Sequence, residues 1–246
     1  MADSGVVIQP GRRRVLRAFL KRGIQSLLKV MADVQVTGRE NFPKGGPLLV
    51  IFNHFSFVDP PVLIGVAPWY MDFFGGTATP NAPKWAKIFQ RAYGVIPTMR
   101  GTGSRYSILA GQSLLSHGGV LAIAPEGGSW ATVLRPARPG TAVVASRVNA
   151  PVLPVGLDGM TELFPRFSKG KRSKLLVNVG KPIGPFYVSD RGTNDRAKLD
   201  EIGHTMMRAI AELIPPEVRG FYSDDPARRQ AAKGTEIYPW QNVAEV

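Results

Sequence analysis

The chain has 246 residues, 31 Lys and Arg against 18 Asp and Glu, no cysteine, and a 44% share of hydrophobic residues. That is enough apolar material to build a core without disulfides or a structural metal, and it excludes a disordered chain. The lack of cysteine removes thiol nucleophiles, thiolate zinc sites, iron–sulfur clusters and disulfides together. The net charge of +13 (31 − 18) points to anionic partners, without choosing among nucleic acid, an acidic membrane and phosphorylated substrates.

No apolar stretch is long enough to span a bilayer, so no transmembrane helix is expected. The N-terminus does not read as a secretory signal, because Arg17, Lys21 and Arg22 interrupt any apolar segment after the first arginines. Residues 12–31 have helical periodicity instead. Leu16, Phe19, Leu20, Ile24, Leu27, Leu28 and Met31 form one apolar stripe, and Arg13, Arg14, Arg17, Lys21, Arg22 and Lys29 fall mostly off it. A basic amphipathic helix of this kind suits an anionic membrane surface. It suits a surface helix packed on the protein's own core as well.

Val34–Val36 reads as a short strand, and Leu48–Phe52 as a strand buried on both faces. Val120–Ile123, Val152–Val155 and Leu175–Val179 are further strands, with helical patterns at 104–116, 140–148 and 195–214. The alternation predicts an α/β fold: a mixed, largely parallel sheet covered by helices. The expected division is a basic amphipathic arm over 1–33, an α/β domain over 34–222 and a polar, loosely held tail over 223–246.

The chemistry concentrates after the first buried strand, in Asn53-His54-Phe55-Ser56-Phe57-Val58-Asp59-Pro60-Pro61. On one regular helix, a His and an Asp five residues apart point about 140° from each other and cannot pair. They meet if His54 sits on the turn after the strand and Asp59 caps the next helix, with the prolines in its first turn. Asp59 then holds one imidazole nitrogen and leaves the other as a base. A Gly-x-Ser-x-Gly elbow is absent, so the activated nucleophile belongs to the substrate.

Asn-His-x-Ser-x-x-Asp-Pro (Asn53, His54, Ser56, Asp59, Pro60) resembles the signature of the glycerolipid acyltransferase family, which includes lysophosphatidate and glycerol-3-phosphate acyltransferases. Three further segments resemble its later blocks, in the family's order: Gly94–Arg100, Ala124-Pro125-Glu126-Gly127 and Ala150–Gly156. The resemblance covers roughly residues 34–160. It implies that His54 is the general base and Asp59 its orienting partner. Asn53, Ser56, Arg100, Arg105, Glu126, Gly127, Gly128 and Pro154 become candidate substrate-binding residues. It also implies that a fatty acyl group passes from an acyl thioester, carried by coenzyme A or acyl carrier protein, to the hydroxyl of a lysophospholipid, first of all 1-acyl-sn-glycerol 3-phosphate. No metal and no cofactor are implied. The protein would work at the cytoplasmic face of the cell membrane, bound through residues 12–31.

One departure bears on the acceptor. The family's third block commonly runs Glu-Gly-Thr-Arg-Ser, and here it is Glu126-Gly127-Gly128-Ser129-Trp130. Either Arg100, Arg135 or Arg138 supplies the missing guanidinium, or the acceptor is another lysophospholipid or an acylated amino-acid lipid. Trp130 fits either a cover over the acceptor chain or plain core. The run Val62–Met71 fits an acyl groove or buried packing, and the basic cluster Arg166–Lys174 fits anionic headgroups or a solvated loop. The rival from another class is a non-enzymatic binder of membranes or nucleic acid. No nucleic-acid signature accompanies the basic arm, so no nucleic acid is expected as a partner.

Overall fold

The computed structural model describes residues 6–76, 82–98, 105–188, 194–237 and 239. Arg100 lies outside the described residues. In chain order the elements are α1 (Arg14–Met31), β1 (Ala32–Thr37), β2 (Leu48–Phe52), α2 (Asp59–Val66), β3 (Asp72–Gly76), α3 (Lys84–Tyr93), β4 (Ile96–Thr98), α4 (Arg105–Ser116), β5 (Val120–Ile123), α5 (Pro139–Ser146), β6 (Val152–Asp158), α6 (Leu163–Phe167), β7 (Ser173–Val179), α7 (Asn194–Ala211) and α8 (Pro226–Ala231). The seven strands form one sheet in the order β1-β7-β6-β2-β5-β3-β4. Strands β6, β2, β5, β3 and β4 run parallel, whereas β7 pairs antiparallel with β6 and carries β1 with it. The mixed, largely parallel sheet expected from the alternation is the sheet observed.

The central strands β2 and β5 are buried at every residue, which is why they read as continuous apolar runs. One core lies between the sheet and α1, α2 and α3, and contains Leu28, Val62, Leu63 and Tyr93. The other lies on the opposite face under α4, α5 and α7, and contains Leu114, Val144, Met206 and Ile210. Within Val62–Met71, Val62, Leu63, Ile64 and Met71 are buried, so packing accounts for most of that run.

Helix α1 is not a free-standing arm. It packs along α2, where the absent side chain of Gly65 admits it: a Cβ there would lie 3.0 Å from Leu28 Cδ1 and 3.2 Å from Ile24 Cγ2. Arg17, expected on the polar face, is buried and bonds Asp72 of β3 at 2.6 and 3.2 Å. Arg12 reaches the same carboxylate at 2.7 Å. Arg13 donates to the Ala92 carbonyl of α3, and Lys21 to the Ala67 carbonyl. Four of the seven basic residues of this segment are thus bonded to other parts of the fold, and Arg14, Arg22 and Lys29 are exposed.

The single stripe divides for the same reason. Leu20, Ile24, Leu28 and Met31 pack on the core, whereas Val15, Leu16, Phe19, Leu27 and Val30 are exposed. At about 100° per residue those five span a sector of about 120°, next to the sector of Arg14, Arg22 and Lys29. No helix among the described residues is long and apolar enough to cross a membrane. Up to residue 237, the tail is held more firmly than its composition suggests. Asp225 caps α8, Ala232 is buried, and the Thr235 and Glu236 carbonyls accept bonds from Trp130 and Arg138.

Candidate active site

The parallel neighbours β2 and β5, paired at Ile51 and Ile123, end side by side and deliver His54 and Glu126 to the same place. A position at the carboxyl ends of parallel strands is where open α/β sheets hold their ligands. Asp59 is the first residue of α2. Its own N–H bonds the Ser56 carbonyl at 3.2 Å, and Val62 N bonds the Val58 carbonyl at 3.0 Å. Pro60 and Pro61, lying between them, carry no N–H. The first turn therefore needs no side-chain cap, and the Asp59 carboxylate is turned back on the preceding loop. One of its oxygens, Oδ2, accepts from Phe55 N at 2.7 Å and Ser56 N at 2.8 Å, and pairs with His54 Nδ1 at 2.9 Å. Asp59 is 1% exposed. His54 faces a cavity, and its Nε2 makes no hydrogen bond among the described residues.

Glu126 sits beneath His54. Its Oε1 accepts from His54 N at 3.0 Å, and its Oε2 accepts from Arg135 N at 3.2 Å and Arg135 Nε at 3.1 Å. Burial raises the Glu126 carboxyl above its ordinary pKa, opposed by the Arg135 guanidinium and by the N–H groups aimed at it. Arg135 is itself buried and also donates to the Gly128 carbonyl. Glu126 was expected to touch substrate. Both of its oxygens are engaged by the protein, and it sets the height of the His54 loop from below.

The cavity measures about 560 Å³, within the usual range for ligand pockets. Apart from His54 its walls are mainly apolar: Phe52, Phe57, Phe73, Trp85, Phe89 and Tyr93. Burial pushes the Tyr93 phenol up to about 12, so this wall stays uncharged at neutral pH. Trp85 and Phe89 belong to α3, a helix not among those the sequence analysis predicts. The signal was present in the inward repeat Ala86, Phe89 and Tyr93 among Lys84, Lys87 and Arg91.

Other expected substrate-binding residues fall elsewhere. Asn53 is fully buried and ties two strands together, donating to the Leu157 carbonyl at 2.8 Å and accepting from Leu157 N at 2.7 Å. Ser56 accepts from Val58 N within the loop, and Pro154 is buried in the middle of β6. Arg105 is exposed at the start of α4 and does not line the cavity. Gly127 and Gly128 do line it. Gly127 has φ +84°, a left-handed conformation that favours glycine, and a Cβ there would stand 3.2 Å from Arg138 Cγ. Trp130 also faces the cavity, with the Arg135 guanidinium 3.9 Å and the Arg138 guanidinium 5.9 Å from its ring centre.

The profile of the Acyltransferase family matches residues 33–158, just over half of the chain and all of the site just described except Arg138's neighbours in the tail. The chain belongs to the Acyltransferase family. Among its relatives is the 1-acyl-sn-glycerol-3-phosphate acyltransferase of Bacillus subtilis (strain 168), 25% identical over 166 residues, which are 67% of this chain and 81% of the relative. The fold is shared with the crystal structure of the 1-acyl-sn-glycerophosphate (LPA) acyltransferase from Thermotoga maritima. The TM-score is 0.56 at 22% identity, over 82% of this chain and 83% of that one. In this fold His54 lines the cavity, with its Nδ1 paired to the Asp59 carboxylate.

Proposed function

We propose that the protein transfers a fatty acyl group from an acyl thioester to the free hydroxyl of 1-acyl-sn-glycerol 3-phosphate, giving phosphatidic acid. The observation that carries this is His54: Nδ1 is held by a buried carboxylate, while Nε2 faces an apolar cavity. His54 Nε2 takes the acceptor's hydroxyl proton as that oxygen attacks the thioester carbonyl. The tetrahedral intermediate then expels the thiolate, which receives the proton from the imidazolium. Asp59 fixes the Nδ1–H tautomer and stabilises the transient positive charge. The N–H groups of His54, Phe55 and Ser56 all bond carboxylates of the protein, so donors for the oxyanion come from outside this loop. The aromatic-walled cavity suits an acyl chain, and the donor is a thioester of coenzyme A or acyl carrier protein.

The same reading places the protein at an anionic membrane surface, where its acceptor resides. The exposed apolar sector of α1 with Arg14, Arg22 and Lys29 beside it supports this. So does the aromatic run Trp85–Phe57–Phe164, with ring centres 5.8 and 5.6 Å apart.

The deciding experiment measures thioester consumption by purified protein with palmitoyl-coenzyme A and a panel of acceptors, beside His54→Ala. Activity with lysophosphatidate that the substitution abolishes is the expected result. Activity confined to a phosphate-free acceptor overturns the substrate, and no transfer to any acceptor from either donor type overturns the reading.

A further inference from the structure

The cavity lining is of two chemical kinds. Besides the aromatic wall, the cavity is lined by Gly127, Gly128, Ser129 and Trp130 and by the start of α5. Arg138 is the one fully charged side chain among the described residues lining the cavity, and no carboxylate among the described residues pairs with it. Its guanidinium is oriented rather than loose: Nη2 donates to the Glu236 carbonyl at 2.7 Å, and the Trp130 ring lies beside it. One of its five donor hydrogens is used there, and the others remain for a ligand.

Helix α5 begins directly after Arg138, with Pro139 at its first position. The first N–H groups of a helix have no partner within it, and here those are the N–H groups of Gly140 and Thr141. Both residues line the cavity. Thr141 is 4% exposed, and its hydroxyl makes no hydrogen bond to any described residue. The residue is buried while its hydroxyl is not among the buried atoms, so the hydroxyl opens onto the cavity, where a ligand can bond it. Two backbone N–H groups at a positive helix end, one hydroxyl open to the cavity and one guanidinium are therefore offered by four consecutive lining residues, 138–141. That donor set suits a phosphate.

The placement relative to His54 is fixed through the backbone. Arg138 N donates to the Pro125 carbonyl at 2.7 Å, and the next residue, Glu126, accepts from His54 N at 3.0 Å. Consecutive residues of one loop thus hold the base and the anion site.

We infer that Arg138, the N–H groups of Gly140 and Thr141 and the Thr141 hydroxyl form a phosphate-binding site for the acyl acceptor, replacing the guanidinium that Ser129 does not supply. This rests on the proposed acyl transfer and names the group by which that site selects its acceptor. Arg135, the other arginine of this region, is committed to Glu126 beneath the loop.

The test compares wild type with Arg138→Gln, Thr141→Val and, as a control just past the C-terminal end of α5, Arg147→Gln, an exposed residue that does not line the cavity. Steady-state kinetics use lysophosphatidate and the phosphate-free 1-monoacylglycerol, and 31P NMR line broadening follows glycerol 3-phosphate binding directly. Loss of a charge-assisted bond raises KM for lysophosphatidate about 10- to 100-fold in Arg138→Gln. Thr141→Val raises it several-fold, with kcat and the donor KM nearly constant. The lysophosphatidate preference over monoacylglycerol falls by the same factor, and Arg147→Gln matches wild type.

A rise in donor KM instead would assign the site to the donor's phosphates and overturn the inference. So would unchanged glycerol 3-phosphate broadening in Arg138→Gln. Wild type without transferase activity, whose phosphate broadening still depends on Arg138, would overturn the proposed reaction and leave the anion site standing.

Discussion

Arg17 of α1 and Asp72 of β3 form a buried ion pair, with Nη2 2.6 Å from Oδ1 and both side chains almost wholly out of solvent. Arg12 adds a second guanidinium to the same carboxylate, and the Arg17 guanidinium lies 4.6 Å from the centre of the Tyr93 ring. The N-terminal helix is thereby locked to the strand and helix that wall the cavity. Breaking a buried pair leaves a charge unpaired and costs about 3–5 kcal/mol. Asp72→Asn is expected to lower Tm by roughly 6–20 °C, checked by thermal unfolding.

Asp59 combines two tasks, orienting His54 and closing the loop through Phe55 N and Ser56 N. Asp59→Asn keeps an oxygen acceptor but loses the charge that stabilises the imidazolium. Its kcat is expected to fall by about 10²–10⁴ with acceptor KM changed little. Asp59→Ala should lose stability as well, since two N–H groups in the loop are left without partners. Kinetics beside urea titrations separate the two effects.

Glu126 predicts a pH dependence of stability. Burial raises its folded pKa above that of the unfolded chain, despite the opposing charge of Arg135. The folded state then holds a proton that the unfolded state has released, so its contribution declines as pH rises through the raised pKa. Urea unfolding across a pH series should show a downward slope from the ordinary carboxylate range upward that Glu126→Gln lacks. Equal slopes in both proteins would refute this.

The two sides of α1 should respond oppositely to charge. Phe19 is 73% and Leu27 61% exposed, whereas Leu28 is 8% exposed. The double substitution Phe19→Glu, Leu27→Glu should leave Tm nearly unchanged. It should reduce co-sedimentation with anionic liposomes at least about tenfold, given roughly 1.5–3 kcal/mol per large apolar side chain buried. Leu28→Glu should unfold the protein, because it puts a carboxylate into the core.

The site was legible in part because its chemistry is local. His54 and Asp59 lie five residues apart, and Pro60 and Pro61 fix the start of the helix at Asp59, so the pairing follows from neighbouring residues. Asn53 and Pro154 were placed at the substrate because they sit within the motifs, but their environments are set by strand pairing. Asn53 faces Leu157, more than a hundred residues away, and nothing near it in the chain indicates that partner. Strand β3 escaped detection for a related reason. Asp72-Phe73-Phe74-Gly75-Gly76 starts with a charge and ends in glycines, and Asp72 is buried at its start because Arg17 neutralises that charge.

Taken alone, the sequence determined the alternation of strands and helices, the buried central strands, the His–Asp pair and the family's motifs in order. Each is written in periodicity or short spacing, which act over a few residues. Only the tertiary structure decided which face of α1 packs inward and which of its arginines enter the fold. It also decided that Glu126 supports His54 from below, and that Arg138 with the first turn of α5 faces the cavity. Those outcomes depend on contacts between residues distant in the chain, where a buried charge takes whichever partner the fold brings within reach.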